Sequence, residues 1–463
     1  MRAPRLLLSA PASGCGKTTV TCALLQALAD RGADPVSFKS GPDYIDPMFH
    51  TAVMGVPARN LDLFLMGEGA VRRALAAGCA GHGVAVLEGA MGYYDGVALS
   101  SRASAWDLAR RTGTPAVLVV DGRGAARSLA AVAKGFQTLE RASMLRGVIF
   151  NRVSPMLYHR LKDCVEAETG LKVCGFLPNL PGCTLESRHL GLVTAAEVAN
   201  LRETLATLAR AAAEYLDLEG LLALAEGAED LPEPEERRAL DLPVRPRIGV
   251  ARDRAFCFYY ADALALLEEL GAELVEFSPL SAERLPPGCA GLYLGGGYPE
   301  LYARELARNG VLCRAVREAV LGGMPTVAEC GGFLYLHRTL ADGEGEEHPQ
   351  ADVIPARAWN GGKLRRFGYV TLTAQKEGLL CGAGESLPAH EFHYWESGAP
   401  GGDFYAQKPQ SSRSWTCAWH TDTLYAGFPH VHFCGCPDAA ARFVSACARY
   451  AGEKRSEYHG MFA

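Results

Sequence analysis

Short apolar runs alternate with amphipathic stretches along the first half of the chain. Residues 6–8, 84–87, 116–121 and 145–150 are mostly apolar, and residues 18–30 and 125–137 between them have helical character. Apolar strands separated by helices predict a parallel sheet covered on both faces. The pattern stops at residues 226–246, a charged stretch with four prolines that reads as an exposed linker. It restarts at 247–251 and continues at 272–277, 291–294 and 324–328. Two α/β domains are therefore expected, at 1–225 and 247–445, with a tail at 446–463. The acidic, glycine-rich residues 341–350 read as a surface loop.

Composition narrows the partners. The chain has 463 residues, enough for two or three domains, with 49% hydrophobic and 21% charged residues. Its formal charge is −6 and no basic run stands out, which argues against a nucleic-acid partner. No apolar run reaches membrane-spanning length, and the apolar N-terminal run is too short for a signal segment. Fifteen cysteines without a repeated spacing do not make a disulfide scaffold, so a cytoplasmic location is expected.

The first chemical motif is APASGCGKTT, residues 10–19, placed between a strand and a helix. That is where a phosphate-binding loop belongs. Glycines such as Gly14 and Gly16 let backbone N–H groups turn toward phosphate oxygens, and the helix N-terminus adds favourable partial charge. Lys17 would neutralise the β- and γ-phosphates, and Thr18 would ligate Mg²⁺. Ser13 and Thr19 complete the nucleotide-binding candidates. Pro11 stands where the motif's first glycine is usual; a plain strand–turn–helix junction is the alternative. KSGPDYIDP, residues 39–47, places Asp43 and Asp46 three apart, where both could face one site and Asp46 could help hold the ion. An Asx turn would explain the same residues. EGAMGYYDG, residues 88–96, begins with an acid directly after an apolar strand, the usual place for a Mg²⁺-linked carboxylate. Glu88 fits it, with Asp95 in the same loop.

In the second half, MPTVAECGG, residues 324–332, ends an apolar strand in an acid, a cysteine and two glycines. A nucleophile on such a sharp strand-to-helix turn is exposed at the sheet edge. The following helix is expected to lower the Cys330 pKa. The Gly331 N–H is one candidate oxyanion donor, and the loop around Gly296 is a source for the other. A base is needed, and His430 and His432 are both candidates, one with the other as orienting partner. A metal site joining them to Cys434 and Cys436 is a competing reading, although its spacing is tight for zinc. HEFHY, residues 390–394, is expected to line a site or support the core.

These motifs resemble known families. The first half resembles the dethiobiotin synthetase-like group of P-loop proteins, and the second resembles class I glutamine amidotransferases of the cobyric acid type. Together they resemble the cobyrinate a,c-diamide synthase family. The order of motifs carries this resemblance: the three above, NLD at 60–62, RHLGLV at 188–193, AFCFYY at 255–260, LGGGYPE at 294–300, AECGG at 328–332, FGYV at 367–370, HEFHY and HVHF at 430–433. Cys257 and Pro429 depart from the pattern, which has Asn and an aliphatic residue there. The resemblance implies a P-loop parallel sheet followed by an amidotransferase domain. It implies ATP and Mg²⁺ at Lys17 and Thr18, synthetase acids at Asp43, Asp46, Glu88 and Asp95, and a nucleophile at Cys330. It favours His430 as the base, with His432 in the place of the related enzymes' acid. The implied substrates are a cobyrinate-type tetrapyrrole, L-glutamine and ATP, and a homodimer is compatible with it. Hydrogenobyrinate or nickel-sirohydrochlorin would suit the same chemistry. A ParA/MinD-like nucleotide switch would use only the first half. Arg188, Lys363, Arg365 and Arg366 are candidate contacts for a polycarboxylate substrate.

Overall fold

The computed structural model describes residues 1–183, 195–233 and 239–460. The RHLGLV motif and Arg188 lie outside these residues. The chain divides into two compact units, one of Met1–Leu63 with Gly67–Glu235, the other of Phe64–Met66 with Glu236–Ala463.

The first unit is built on seven strands: β1 (Arg5–Ser9), β2 (Pro35–Ser40), β3 (Ala58–Leu61), β4 (Val84–Glu88), β5 (Ala116–Asp121), β6 (Leu145–Asn151) and β7 (Lys172–Leu177). Their order is β3-β2-β4-β1-β5-β6-β7, and every pair is parallel. β1, β2 and β4 are buried at every position, as a sheet covered on both faces requires. Even Arg5 is fully buried, but its guanidinium reaches Thr114 Oγ1 and the carbonyls of Ala3, Thr112 and Glu229 at 2.6–3.0 Å. β2, β3 and β4 lie on one side of β1 and β5, β6 and β7 on the other, and β4 pairs directly with β1, so the loops after β1 and β4 meet at the carboxyl edge where such sheets bind ligands.

The second unit contains a six-stranded sheet in the order Glu273–Phe277, Arg247–Ala251, Cys289–Leu294, Thr326–Glu329, Leu424–Gly427, Trp419–His420. All neighbours are parallel except the last pair. A five-stranded antiparallel sheet runs Ser414–Cys417, Phe404–Gln407, Arg366–Ala374, Ser386–His393, His430–Val431. The two-unit α/β architecture is the one the apolar pattern predicts.

Two details differ from expectation. The surface loop expected at 341–350 is narrower than that, an exposed turn at 342–346: strands His337–Ala341 and Glu347–Pro349 pair on either side of it, and Asp342 Oδ1 accepts the N–H groups of Glu344 and Glu346 to close it. The helix Pro437–Gly460 also runs straight through the boundary expected at 445, because Phe443, Val444, Cys447 and Ala448 are fully buried along it. All fifteen cysteines are free thiols. Among the described residues no helix is long and apolar enough to cross a membrane.

Candidate functional sites

In the first unit the P-loop leaves β1 and enters the helix α1 (Lys17–Asp30). Gly14 and Gly16 both take left-handed backbone conformations, with φ of 83° and 90°. A Cβ on Gly16 would sit 2.0 Å from Asn151 Nδ2, so glycine is required there for space as well as for φ. Asn151 Nδ2 donates to the Cys15 carbonyl at 2.9 Å, and Arg152 Nη1 to that of Gly14 at 3.2 Å. Sequence reading missed both residues. Their only signal is their position at the carboxyl end of β6. Ser13 and Gly14 are exposed, and Thr19 is half-buried at the helix start.

Lys17 is buried and donates to the carbonyls of Met91 (2.5 Å) and Ala12 (3.4 Å). It therefore spans the P-loop and the loop after β4. Burial lowers its pKa. Asp95 lies in that second loop, where Oδ2 accepts the Gly92 N–H at 2.8 Å, and its charge acts on Lys17.

Asp43, Asp46 and Glu88 do converge, and what gathers them is Lys39. Register places Lys39 directly opposite Glu88 on neighbouring strands. Its Nζ lies 2.9 Å from Glu88 Oε1, is bonded to Asp46 Oδ2, and sits 3.9 Å from Asp43 Oδ2. Burial opposes its charge, but the three carboxylates outweigh that and hold its pKa above the lysine range. Burial also raises the pKa values of Glu88 and Asp43. Thr18 Oγ1 donates to Glu88 Oε1 at 2.8 Å, while Glu88 Oε2 is buried with no partner. Three carboxylates around one ammonium leave negative charge in excess. Together with the Thr18 hydroxyl, that donor set suits a hard divalent cation. Asp43 Oδ1 also accepts the Ile45 N–H at 2.8 Å, which is the bond of an Asx turn.

In the second unit Cys330 follows the strand Thr326–Glu329 and caps a short helix, Gly331–Tyr335. It holds φ 47° and ψ −95°, a strained conformation for a residue with a side chain. Its N–H donates to Gly427 O at 2.8 Å, which fixes the turn to the neighbouring strand. A Cβ on Gly331 would lie 2.9 Å from Gly297 N, and one on Gly296 2.6 Å from His430 Cε1. Gly296 thus lies against both the Cys330 turn and the His430 ring.

The expected low thiol pKa is not found. Burial, with Glu300, Glu329 and Glu391 nearby, pushes the Cys330 thiol up. A five-residue helix is too short to offset that. Burial presses His430 down to about 3, so it is a neutral imidazole at rest. His432 is not beside it as an orienting partner. It stacks on Tyr260 with ring centroids 4.3 Å apart, and its Nδ1 accepts the Cys434 N–H at 3.3 Å. The strand ends at Val431 and His432 begins a turn, so the two-residue spacing does not keep both rings on one face. The carboxylate near His430 is Glu329, 3.8 Å away. The Cys434 and Cys436 thiols donate instead to the carbonyls of Asp262 and His432.

His390 pairs in register with His430, Glu391 and His393 are buried, and Phe392 and Tyr394 are exposed, so alternate residues of HEFHY face inward next to His430. Of the basic candidates, Arg365 pairs with Glu396, Arg366 lies over Trp415 at 4.4 Å, and Lys363 is exposed. Tyr425 Oη donates to Pro429 O at 2.9 Å, and Cys257 is half-buried with its thiol raised to about 12 by burial.

Residues 6–192 match the CobQ/CobB/MinD/ParA nucleotide binding domain, and residues 247–435 the CobB/CobQ-like glutamine amidotransferase domain. The first unit is thus a nucleotide-binding domain. Similarity to curated proteins spans both units. The cobyrinate a,c-diamide synthase of Salmonella typhimurium is 38% identical, covering 96% of this chain and 98% of its own length. That of Gloeobacter violaceus is 40% identical over 97% and 98%, and that of Thermoplasma volcanium 35% over 98% and 99%.

Proposed function

The chain belongs to the cobyrinate a,c-diamide synthase family, and on that premise we propose that it amidates the a and c acetate carboxylates of cobyrinate. ATP is the activating nucleotide and L-glutamine the nitrogen donor. The observation that carries the reading is a similarity running through both units at once, over 96% of this chain.

In the second unit the Cys330 sulfur attacks the carboxamide carbon of glutamine while His430 takes the thiol proton. Thiol and imidazole are both neutral at rest, so that proton moves as the S–C bond forms. Backbone N–H groups of Gly331 and of the loop at Gly296 receive the developing oxyanion. His430 returns the proton to the departing ammonia, and water cleaves the thioester to glutamate.

In the first unit the loop amides at Ser13, Gly14 and Gly16 hold the nucleotide's phosphates, with Lys17 and Thr19 beside them. Thr18, Asp46 and Glu88 would hold Mg²⁺, which when bound draws charge from the phosphate oxygens. Lys39 keeps the acids together, Asp43 fixes its own turn, Asp95 closes the turn after β4 by accepting the Gly92 N–H, and Lys17 joins that loop to the P-loop through the Met91 carbonyl. A substrate carboxylate oxygen attacks the γ-phosphorus of ATP, the bond to the β-phosphate oxygen breaks and ADP departs, which leaves an acyl phosphate. Ammonia then displaces phosphate and leaves the amide. Positioning and charge neutralisation supply most of the phosphoryl-transfer catalysis.

Mass spectrometry tests the reading. The protein is incubated with Mg-ATP and glutamine, in parallel with cobyrinate, hydrogenobyrinate, sirohydrochlorin and nickel-sirohydrochlorin. Exchange of OH for NH₂ makes amides countable, and two amides on cobyrinate are expected. Amidation of nickel-sirohydrochlorin alone would keep the chemistry and overturn the substrate. ATP hydrolysis without any amide would favour a nucleotide switch.

A further inference from the structure

We propose that Glu329 is the positioning carboxylate of the glutaminase site, setting the orientation and tautomer of His430 from the residue just before the nucleophile. The proposal rests on the reading of Cys330 and His430 given above.

A base that serves a nucleophile needs a third group to hold its ring and choose which nitrogen carries the proton. His432 is turned away, stacked on Tyr260. Glu329 Oε2 lies 3.8 Å from His430 Nδ1. That is longer than a hydrogen bond, but catalytic hydrogen bonds are often loose before substrate arrives. Both carboxylate oxygens are anchored. Oε1 accepts the N–H of Val431, the residue next to His430, at 2.8 Å, and Oε2 accepts the Tyr293 hydroxyl at 3.1 Å. One carboxylate therefore grips the backbone that carries the base and faces its ring.

The placement is costly. Glu329 is 1% exposed at the end of an apolar strand, and a buried carboxylate lowers stability unless its partners compensate. An apolar residue would satisfy packing there. A carboxylate suits the moment when His430 becomes an imidazolium in the same dry site. With Nδ1–H directed to Glu329, Nε2 keeps its lone pair for the Cys330 proton. Several other groups at this centre act elsewhere. His390 and His393 disfavour the imidazolium, Glu391 faces His393 at 3.7 Å, and Glu300 acts on Cys330. Tyr293 and Tyr425 are phenols held neutral by burial.

The test uses the full chain with Glu329→Gln, Glu329→Asp and Tyr293→Phe, scored on glutamine-dependent and ammonia-dependent amidation across pH, with melting temperature beside them. Burial raises Glu329 to about 7, so wild-type glutamine use should fall as pH drops through that value and the carboxylate is protonated. Ammonia use, referred to the free NH₃ present at each pH, should show no such limb. Glu329→Gln should lower glutamine-dependent kcat by roughly 10²–10⁴-fold with KM little changed, in line with the loss of an orienting carboxylate elsewhere. It should remove the limb near 7 and leave ammonia use unaltered. Glu329→Asp should keep the limb at a reduced rate. Tyr293→Phe deletes a hydrogen bond that favours the anion, so its limb should move to higher pH; that shift decides the matter if Glu329→Gln does not fold. A Glu329→Gln enzyme with wild-type kcat and an intact limb would sink the proposal, as would equal losses with both nitrogen sources. Wild-type protein that releases no glutamate from glutamine would instead sink the underlying reading of the site.

Discussion

Replacing Cys330 by serine is expected to end glutamine use while ammonia-dependent amidation continues at the wild-type rate. The hydroxyl is smaller and far less acidic than the thiol, and the site already disfavours the thiolate by burial and by three nearby carboxylates. As a neutral base His430 takes a proton only while the new bond to carbon forms, and a hydroxyl is both less acidic and a weaker nucleophile in that step than the thiol. Loss of a nucleophile of this kind costs on the order of 10⁴–10⁶-fold in kcat. In the proposed reaction the first unit needs only ammonia, whatever its source, so product formation with ammonium salts at alkaline pH is the control. The measurement is amide formed per minute with each nitrogen donor. Normal glutamine-dependent turnover in the variant would show that another group is the nucleophile.

Replacing Lys17 by alanine is expected to abolish product with glutamine and ammonia alike. Its ammonium is held by two backbone carbonyls at the junction of the P-loop and the loop after β4. Those carbonyls are weak partners for a buried cation, and burial has already lowered its pKa. Phosphate oxygens would satisfy the charge far better. Electrostatic contacts to a transferring phosphoryl group are typically worth about 10³-fold in rate, or about 4 kcal/mol. The variant should melt close to wild type and still react with a thiol reagent at Cys330, which separates lost chemistry from lost folding. Unimpaired amidation from ammonia would remove Lys17 from the mechanism.

These two residues were legible in the sequence because each sits in a short motif whose local geometry is written in adjacent residues. Gly14 and Gly16 announce the P-loop, and two glycines after Cys330 announce the turn. The sheets were legible for the same reason, since buried parallel strands are continuous apolar runs. What was not legible depends on register and on contacts across the fold. Lys39 belongs to a recognised motif, yet only its pairing opposite Glu88 shows that it gathers the acids. Asn151 and Arg152 reach the P-loop from residues some 136 positions away. Glu329 meets the segment of His430 across 102 positions of sequence. The His430–His432 pair misled because an alternating spacing implies one face only while the strand continues. The motif signals the helix terminus after Cys330 but not the burial that raises its thiol pKa.

The backbone at Cys330 has a consequence for selection. A side chain held at φ 47° carries a conformational penalty of about 1–3 kcal/mol that glycine would largely escape. For a protein whose whole margin is commonly 5–15 kcal/mol, that is a sizeable incentive. Heat tolerance alone, used as a criterion for improved variants, would favour glycine at 330 and so enrich sequences that have lost the nucleophile. Durability and turnover pull in opposite directions at this one position, and only a screen that demands amide from glutamine keeps them together.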